Sequence, residues 1–351
     1  MVQTLVFVFT TSLLLKYSDA YRVETEECKK FLNYSTPTSS EYINAQWNFA
    51  RSASLTEPDW LKSLPTDDEV EELEKFIGNV YAQDSFEDFH VDEELEKYST
   101  LRFLKGTVVQ HNQVLIITEK FKPKPSENRF FGFLAIRAND FVDNWIHHSS
   151  PHFETDGAVS VQAAVLFDST LAKTLVVSGV ARDAVRGKTN STCQPGNHVA
   201  DAAHNTNNFF HKILVAIWKV CHHKRDQFIQ WHGMAENNCR KSNAFLSVGA
   251  NKDHKIYKHK KAFVVKLEKA LDIASTNNSF AQTPRTDNAC KLVAATNVFG
   301  RIVNGVKIGK ECHQKAVDTD ITGQFLHIEQ KIVSRCNLTL WQGGLDDVLN
   351  R

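Results

Sequence analysis

The sequence predicts an α/β domain, a three-layer sandwich with a mixed, largely parallel central sheet, preceded by a helical N-terminal region. Three observations carry that expectation. Short β-branched or aromatic runs, such as residues 114–118 (VLIIT) and 174–180 (TLVVSGV), have strand length and are continuous enough to be buried on both faces. Other stretches repeat apolar residues at spacings of three and four, the period of an amphipathic helix. From about residue 112 the two kinds alternate, the order of β-α-β units rather than of a bundle or an all-β sandwich.

Taken in chain order, the elements are these. Residues 67–82 place Val70, Leu73, Phe76, Ile77 and Val80 on one helical stripe. Strands follow at 114–118, 131–136 and 145–148, then a helix at 159–167 and the strand at 174–180. A strong helix begins at Asp201, with Phe209, Phe210, Ile213, Leu214, Ile217 and Trp218 at helical spacing. Strands at 228–231 and 244–248, a helix at 261–273, a strand at 292–295 and a last element at 325–336 complete the reading.

Composition excludes several function classes. The 351 residues carry 41 Lys+Arg against 41 Asp+Glu, so nothing in the overall charge favours a nucleic-acid partner held by counterion release. A hydrophobic fraction of 42% argues against an acidic disordered chain, and 15 glycines with 8 prolines argue against a collagen-like one.

Residues 5–15 (LVFVFTTSLLL) form an apolar run too short to span a bilayer, followed by Ser18-Asp19-Ala20. This is the pattern of a secretory signal peptide over 1–20, and it predicts a secreted protein with no membrane attachment after cleavage. Residues 21–110 are polar, acidic and helical in pattern, and 111–351 form the α/β domain. None of the seven cysteines makes a CxxC pair, and six follow residue 190. In an oxidising compartment they read as disulfides stapling the C-terminal half, with an odd one left over. Sequons at Asn33, Asn190, Asn277 and Asn337 agree with that route.

Ligands of open α/β sheets bind beyond the carboxyl ends of strands, so chemically capable residues at strand ends are the candidates. His152 follows the strand at 145–148, with Glu154 and Asp156 as rival oxygen ligands for one divalent metal. His232 stands directly after an apolar strand and before Gly233, which would let the backbone turn. Asp201, His204 and His211 lie at the start of the strongest helix, where an anion would be favoured or Asp201 would serve as N-cap. In the strand at 325–330, Phe325, His327 and Glu329 share a face, and a carboxylate among apolar neighbours suits a general base. Arg182, beyond the 174–180 strand, suits a substrate carboxylate.

In this order the residues resemble the N-formylglutamate amidohydrolase group and, more distantly, the zinc carboxypeptidases and aspartoacylases, of the phosphorylase/hydrolase-like fold. The likeness covers roughly residues 145–336. It implies one Zn2+ held by His152, Asp156 or Glu154, and His232. It further implies Glu329 as the catalytic proton acceptor and Arg182 on the substrate carboxylate. Apart from the likeness, the residues themselves suggest His204 as a second catalytic group and Asp201 and His211 on the substrate, with either histidine able to stabilise an oxyanion. The spacing departs from the carboxypeptidase pattern, in which histidine and acid stand three apart. Here Glu154 follows His152 by two residues and Asp156 by four. The expected activity is hydrolysis of an amide bond in a small acidic or peptide-like substrate. The alternatives are a secreted non-catalytic binding module on the same fold, or a histidine-site phosphoester hydrolase.

Overall fold

The computed structural model describes residues 55–349, apart from 154, 186–190, 222–224, 277–279 and 336. The expected signal peptide, Cys28, Asn33, Glu154, Asn190, Asn277 and Cys336 thus lie outside the described residues.

The helices are α1 (Glu57–Ser63), α2 (Asp67–Tyr81), α3 (Val91–Glu96), α4 (Val159–Ser169), α5 (Phe209–Val220), α6 (Phe263–Ala274), α7 (Val298–Val303) and α8 (Leu338–Leu349). The strands are β1 (Leu104–Val109), β2 (Val114–Glu119), β3 (Phe133–Arg137), β4 (Asn144–Ser150), β5 (Ala172–Val177), β6 (Gln227–Gly233), β7 (Ala244–Ser247), β8 (Ala281–Gln282) and β9 (Phe325–Gln330). They form one mixed nine-stranded sheet in the order β1-β2-β3-β5-β4-β6-β9-β7-β8. Its centre, β5-β4-β6-β9, is a block of four parallel strands. Antiparallel strands flank it, β3 on β5 and β7 on β9.

The sandwich has three layers because alternate strand residues feed two cores. Ile229 and Trp231 of β6 and Leu326 and Ile328 of β9 pack with α4, α6 and α8. Phe228 and Phe325, one residue earlier on each strand, pack on the other side with α2, α5 and α7. α2 begins with a capping box between Thr66 and Glu69 and buries Leu73, Phe76, Ile77 and Val80. Those four residues share a core with α5 and the sheet, so residues 67–104 pack as part of the same body as the strands that follow.

Several expectations change. The strong helix starts at Phe209, not Asp201; Asn208 is its N-cap and accepts from the His211 amide at 2.8 Å. The Asp201 carboxylate is engaged elsewhere, and 201–207 run as turns. Residues 292–295 are not a strand. Leu292 and Val293 pack on the small cluster of Met234, Phe245 and Cys290, so burial there requires no ladder. The element at 325–336 stops at Gln330, and α8, unread in the sequence, follows. Two adjacent glycines weaken its helical signal; a Cβ on Gly344 would come within 2.7 Å of Leu271, so this glycine lets α8 lie close on α6.

Disulfides join Cys193 to Cys312 and Cys239 to Cys290, both in the C-terminal half as expected. Cys221 is a free thiol. Asn337 is exposed. No helix among the described residues is long and apolar enough to cross a membrane.

Candidate metal centre

The parallel block decides where the chemistry gathers. Its four strands end on the same side, and each contributes residues there: Arg182 beyond β5, His152 and Asp156 beyond β4, His232 at the end of β6 and Glu329 near the end of β9. His232 and Glu329 are register partners across β6 and β9. On the face shared with α5 and α7, β6 runs from Phe228 through Gln230 to His232, and β9 from Phe325 through His327 to Glu329. Each strand thus carries apolar residues at its start and polar ones at its end.

Three ligand atoms converge. His152 Nδ1 is 3.1 Å from Asp156 Oδ2 and 3.2 Å from His232 Nδ1, and His232 Nδ1 is 3.4 Å from Asp156 Oδ2. Bonds of about 2.0–2.1 Å from nitrogen and oxygen to one zinc-like ion, at tetrahedral angles, separate such atoms by roughly 3.3 Å. All three residues are buried.

The far nitrogen of each ring is fixed. His152 Nε2 lies 3.0 Å from Asp201 Oδ1, and His232 Nε2 lies 2.9 Å from Gln230 Oε1. An N–H donated to each oxygen leaves Nδ1 as the lone-pair atom facing inward, the carboxylate–histidine support that metal sites use. Asp201 therefore stands behind His152; it does not cap a helix. Gln230 is itself held by Asn297, the N-cap of α7. The Gly233 amide donates to Asp156 Oδ2 at 3.0 Å. Gly233 has no positive φ, so a sharp turn is not its role. A Cβ there would come within 2.6 Å of the Asp156 carbonyl oxygen and of the Arg335 guanidinium.

The donors fit a divalent cation. Asp156 Oδ1 and His327 Nδ1 are buried with no hydrogen-bond partner among the described residues. Two imidazoles and a carboxylate are a zinc-type set, and a second group, His232, His327 and Glu329, adjoins the first.

Without a cation, the electrostatics separate the two histidines. Burial opposes charge on His152, but Asp156 and Asp201 outweigh it and push its pKa up to about 9. His232 is pushed down to about 4, by burial first, with the neighbouring His152 charge adding to it. Burial would raise Asp156 and Asp201, yet His152 holds Asp156 well below the usual carboxylate range and Asp201 at about 2. Burial, then Asp156, raises Glu329 to about 8, where it can take or give a proton near neutrality.

The remaining sequence candidates divide. Arg182 belongs to the cluster, with Nη1 3.4 Å from His152 Nδ1 and Nη2 3.7 Å from Asp156 Oδ1. With Thr155 and Asp201 it lines a cavity of about 450 Å³. His204 is close enough to feel Asp201 and His152, and its Nδ1 is held by Gln194 at 2.8 Å. His211 is not brought to the site: its Nε2 faces Glu311 at 3.2 Å. Sequence reasoning placed His327 on the face of Glu329 without giving it a role and missed Gln230, although both share the inward strand face with residues it did select. His148 is a core histidine that accepts from the Trp231 indole at 2.9 Å, with burial pushing its pKa down to about 3.

No protein-family model, no curated protein and no solved structure matches the chain.

Proposed function

We propose that this protein is a zinc-dependent hydrolase, secreted through the signal peptide, that cleaves an amide bond in a small substrate bearing a carboxylate. The observation that carries the reading is the convergence of His152 Nδ1, Asp156 Oδ2 and His232 Nδ1, each pair 3.1–3.4 Å apart, with both rings locked from behind. It agrees with the resemblance to the amidohydrolase and carboxypeptidase families, in which two histidines and an acid hold one zinc. The two disulfides support an oxidising compartment.

A zinc ion at these three ligands would supply Lewis-acid polarisation of the scissile carbonyl and a more acidic water. The chain's own residues do the rest. Glu329, beside His232 on the neighbouring strand, accepts the proton of the attacking water and returns it to the leaving amine. Arg182, 38% exposed and lining the cavity, pairs with the substrate carboxylate through its fork of N–H donors. Asp201 and Gln230 keep the two rings in the ligating tautomer.

The test combines metal analysis with a panel of N-acyl amino acids, short peptides and phosphomonoesters. Wild type should hydrolyse an amide member and bind zinc, and His152→Ala and His232→Ala should each remove one equivalent of metal. Unchanged metal content in both variants, or hydrolysis confined to the phosphomonoesters, would overturn the reading.

A further inference from the structure

A second group of metal-ligating side chains lies toward the other end of the same parallel strands, and the function proposed above does not use it. It consists of His147 in β4, Cys221 at the end of α5 and Asp226 just before β6. His147 is fully buried, Asp226 is 2% exposed and Cys221 is half-buried. The His147 ring stacks near the rings of Phe228, 4.5 Å away, and Tyr81, 6.3 Å away, both nearly parallel to it.

A cysteine, a histidine and an aspartate in contact suggest a nucleophilic triad, but the geometry excludes one. In a triad the acid holds the ring nitrogen opposite the one that meets the nucleophile. Here His147 Nε2 meets both partners, Cys221 Sγ at 3.5 Å and Asp226 Oδ1 at 3.7 Å. The opposite nitrogen, Nδ1, faces the Thr174 hydroxyl at 2.9 Å. An Nδ1–H donated to Thr174 leaves the Nε2 lone pair directed at the thiol and the carboxylate. All three ligand atoms lie within 4.8 Å of one another. Bonds of about 2.0 Å to nitrogen and oxygen and about 2.3 Å to sulfur, at tetrahedral angles, separate such atoms by roughly 3.3–3.6 Å.

We propose that His147 Nε2, Cys221 Sγ and Asp226 Oδ1 form a second metal site, for a thiophilic divalent ion of the zinc type. One nitrogen, one sulfur and one oxygen ligand suit zinc better than calcium or magnesium, which take oxygen cages. On binding, the Cys221 thiol loses its proton to solvent and ligates as thiolate. The site joins the end of α5 to β4 and the entry of β6, so its role is structural, clamping the helix that covers the sheet.

Cobalt(II) tests this, because only a site with a thiolate ligand gives an intense near-ultraviolet thiolate-to-cobalt band. The full-length protein loaded with two equivalents of cobalt should show that band. Cys221→Ser should abolish it while retaining one equivalent and the weaker visible absorption of the His152 site. His152→Ala should do the reverse, so the two sites stand or fall separately. Absence of the band in wild type, or its persistence in Cys221→Ser, overturns the proposal. Should Cys221→Ser fail to fold, alkylation of Cys221 in wild type decides: zinc should slow it at least tenfold, and an unchanged rate overturns the site.

Discussion

His147 in β4 and His152 just beyond it stand five residues apart, and they differ in how their surroundings were assembled. His152, beyond the strand's carboxyl end, meets Asp156 from its own loop and His232 from the next parallel strand, with Asp201 and Gln230 locking the two rings. His147, inside the strand, meets Cys221 and Asp226 from the connection between α5 and β6 and is locked by Thr174 of β5. In the first cluster the ligand atoms lie 3.1–3.4 Å apart, and Arg182 lines a cavity beside them. In the second they lie 3.5 Å or more from His147 Nε2, among aromatic rings. Strand ends give access to substrate, whereas strand interiors give burial. The same residue types therefore suit chemistry at one place and a clamp at the other.

The comparison can be broken most sharply at His152. His152→Ala should reduce amide hydrolysis to background and remove one metal equivalent, measured by turnover and elemental analysis; retained activity would place the chemistry elsewhere. Glu329→Gln comes next. Loss of a general acid–base should lower kcat by about 10²–10⁴-fold with metal content unchanged. If metal is lost as well, Glu329 is a ligand and belongs with His232 and His327.

A smaller effect is expected behind the ligands. Asp201→Asn should weaken metal binding at the His152 site by about 10–100-fold, read by competition with a chelator, and leave the Cys221 site untouched. Proton linkage gives a further distinction. Burial disfavours the imidazolium of His152, but Asp156 and Asp201 hold it up to about 9. Metal must displace that proton, so affinity at this site should rise with pH, by up to about tenfold per unit, and level off near 9. Calorimetry in buffers of different ionisation enthalpy should register about one proton released from His152; a pH-independent affinity would show that this ring does not ligate.

The least local perturbation is the Cys193–Cys312 bridge, which closes a loop of 119 residues and ties the segment carrying Gln194, Asp201 and His204 to the region after α7. Replacing both cysteines by serine should cost about 2–5 kcal/mol of stability in chemical denaturation. Metal binding should survive, because His152, Asp156 and His232 hang on the sheet and not on that segment.

Much of the fold was readable because burial leaves a periodic trace. The stripe from Leu73 to Val80 in α2, the stripe from Phe209 to Ile217 in α5 and the continuous run of β5 all match buried faces. Where periodicity and structure part, a local reason is visible. Leu292 and Val293 are apolar because they pack on Met234 and Phe245 without a strand partner. α8 keeps Leu338, Trp341, Leu345 and Val348 at helical spacing, but Gly343 and Gly344 interrupt the propensity signal. Of the site, the strand-end residues His152, His232 and Glu329 were legible from position alone. Gln230 and His327 were legible in principle, two residues before them on the same face. Cys221 and Asp226 left no signal, standing 74 and 79 residues from His147 with nothing in their spacing to connect them.

By itself the sequence determined the class of fold, the two-sided burial of the central strands, the concentration of cross-links in the C-terminal half and the short list of strand-end residues. These follow from local periodicity and residue chemistry, which the chain carries at every position. Only the tertiary structure decided that Asp201 stands behind His152 and that His211 turns to Glu311. It alone brought Cys221 to His147. Those pairings depend on strand order and on where a loop returns, and the sheet order β5-β4-β6-β9 is a property of the assembled layers that no single segment encodes.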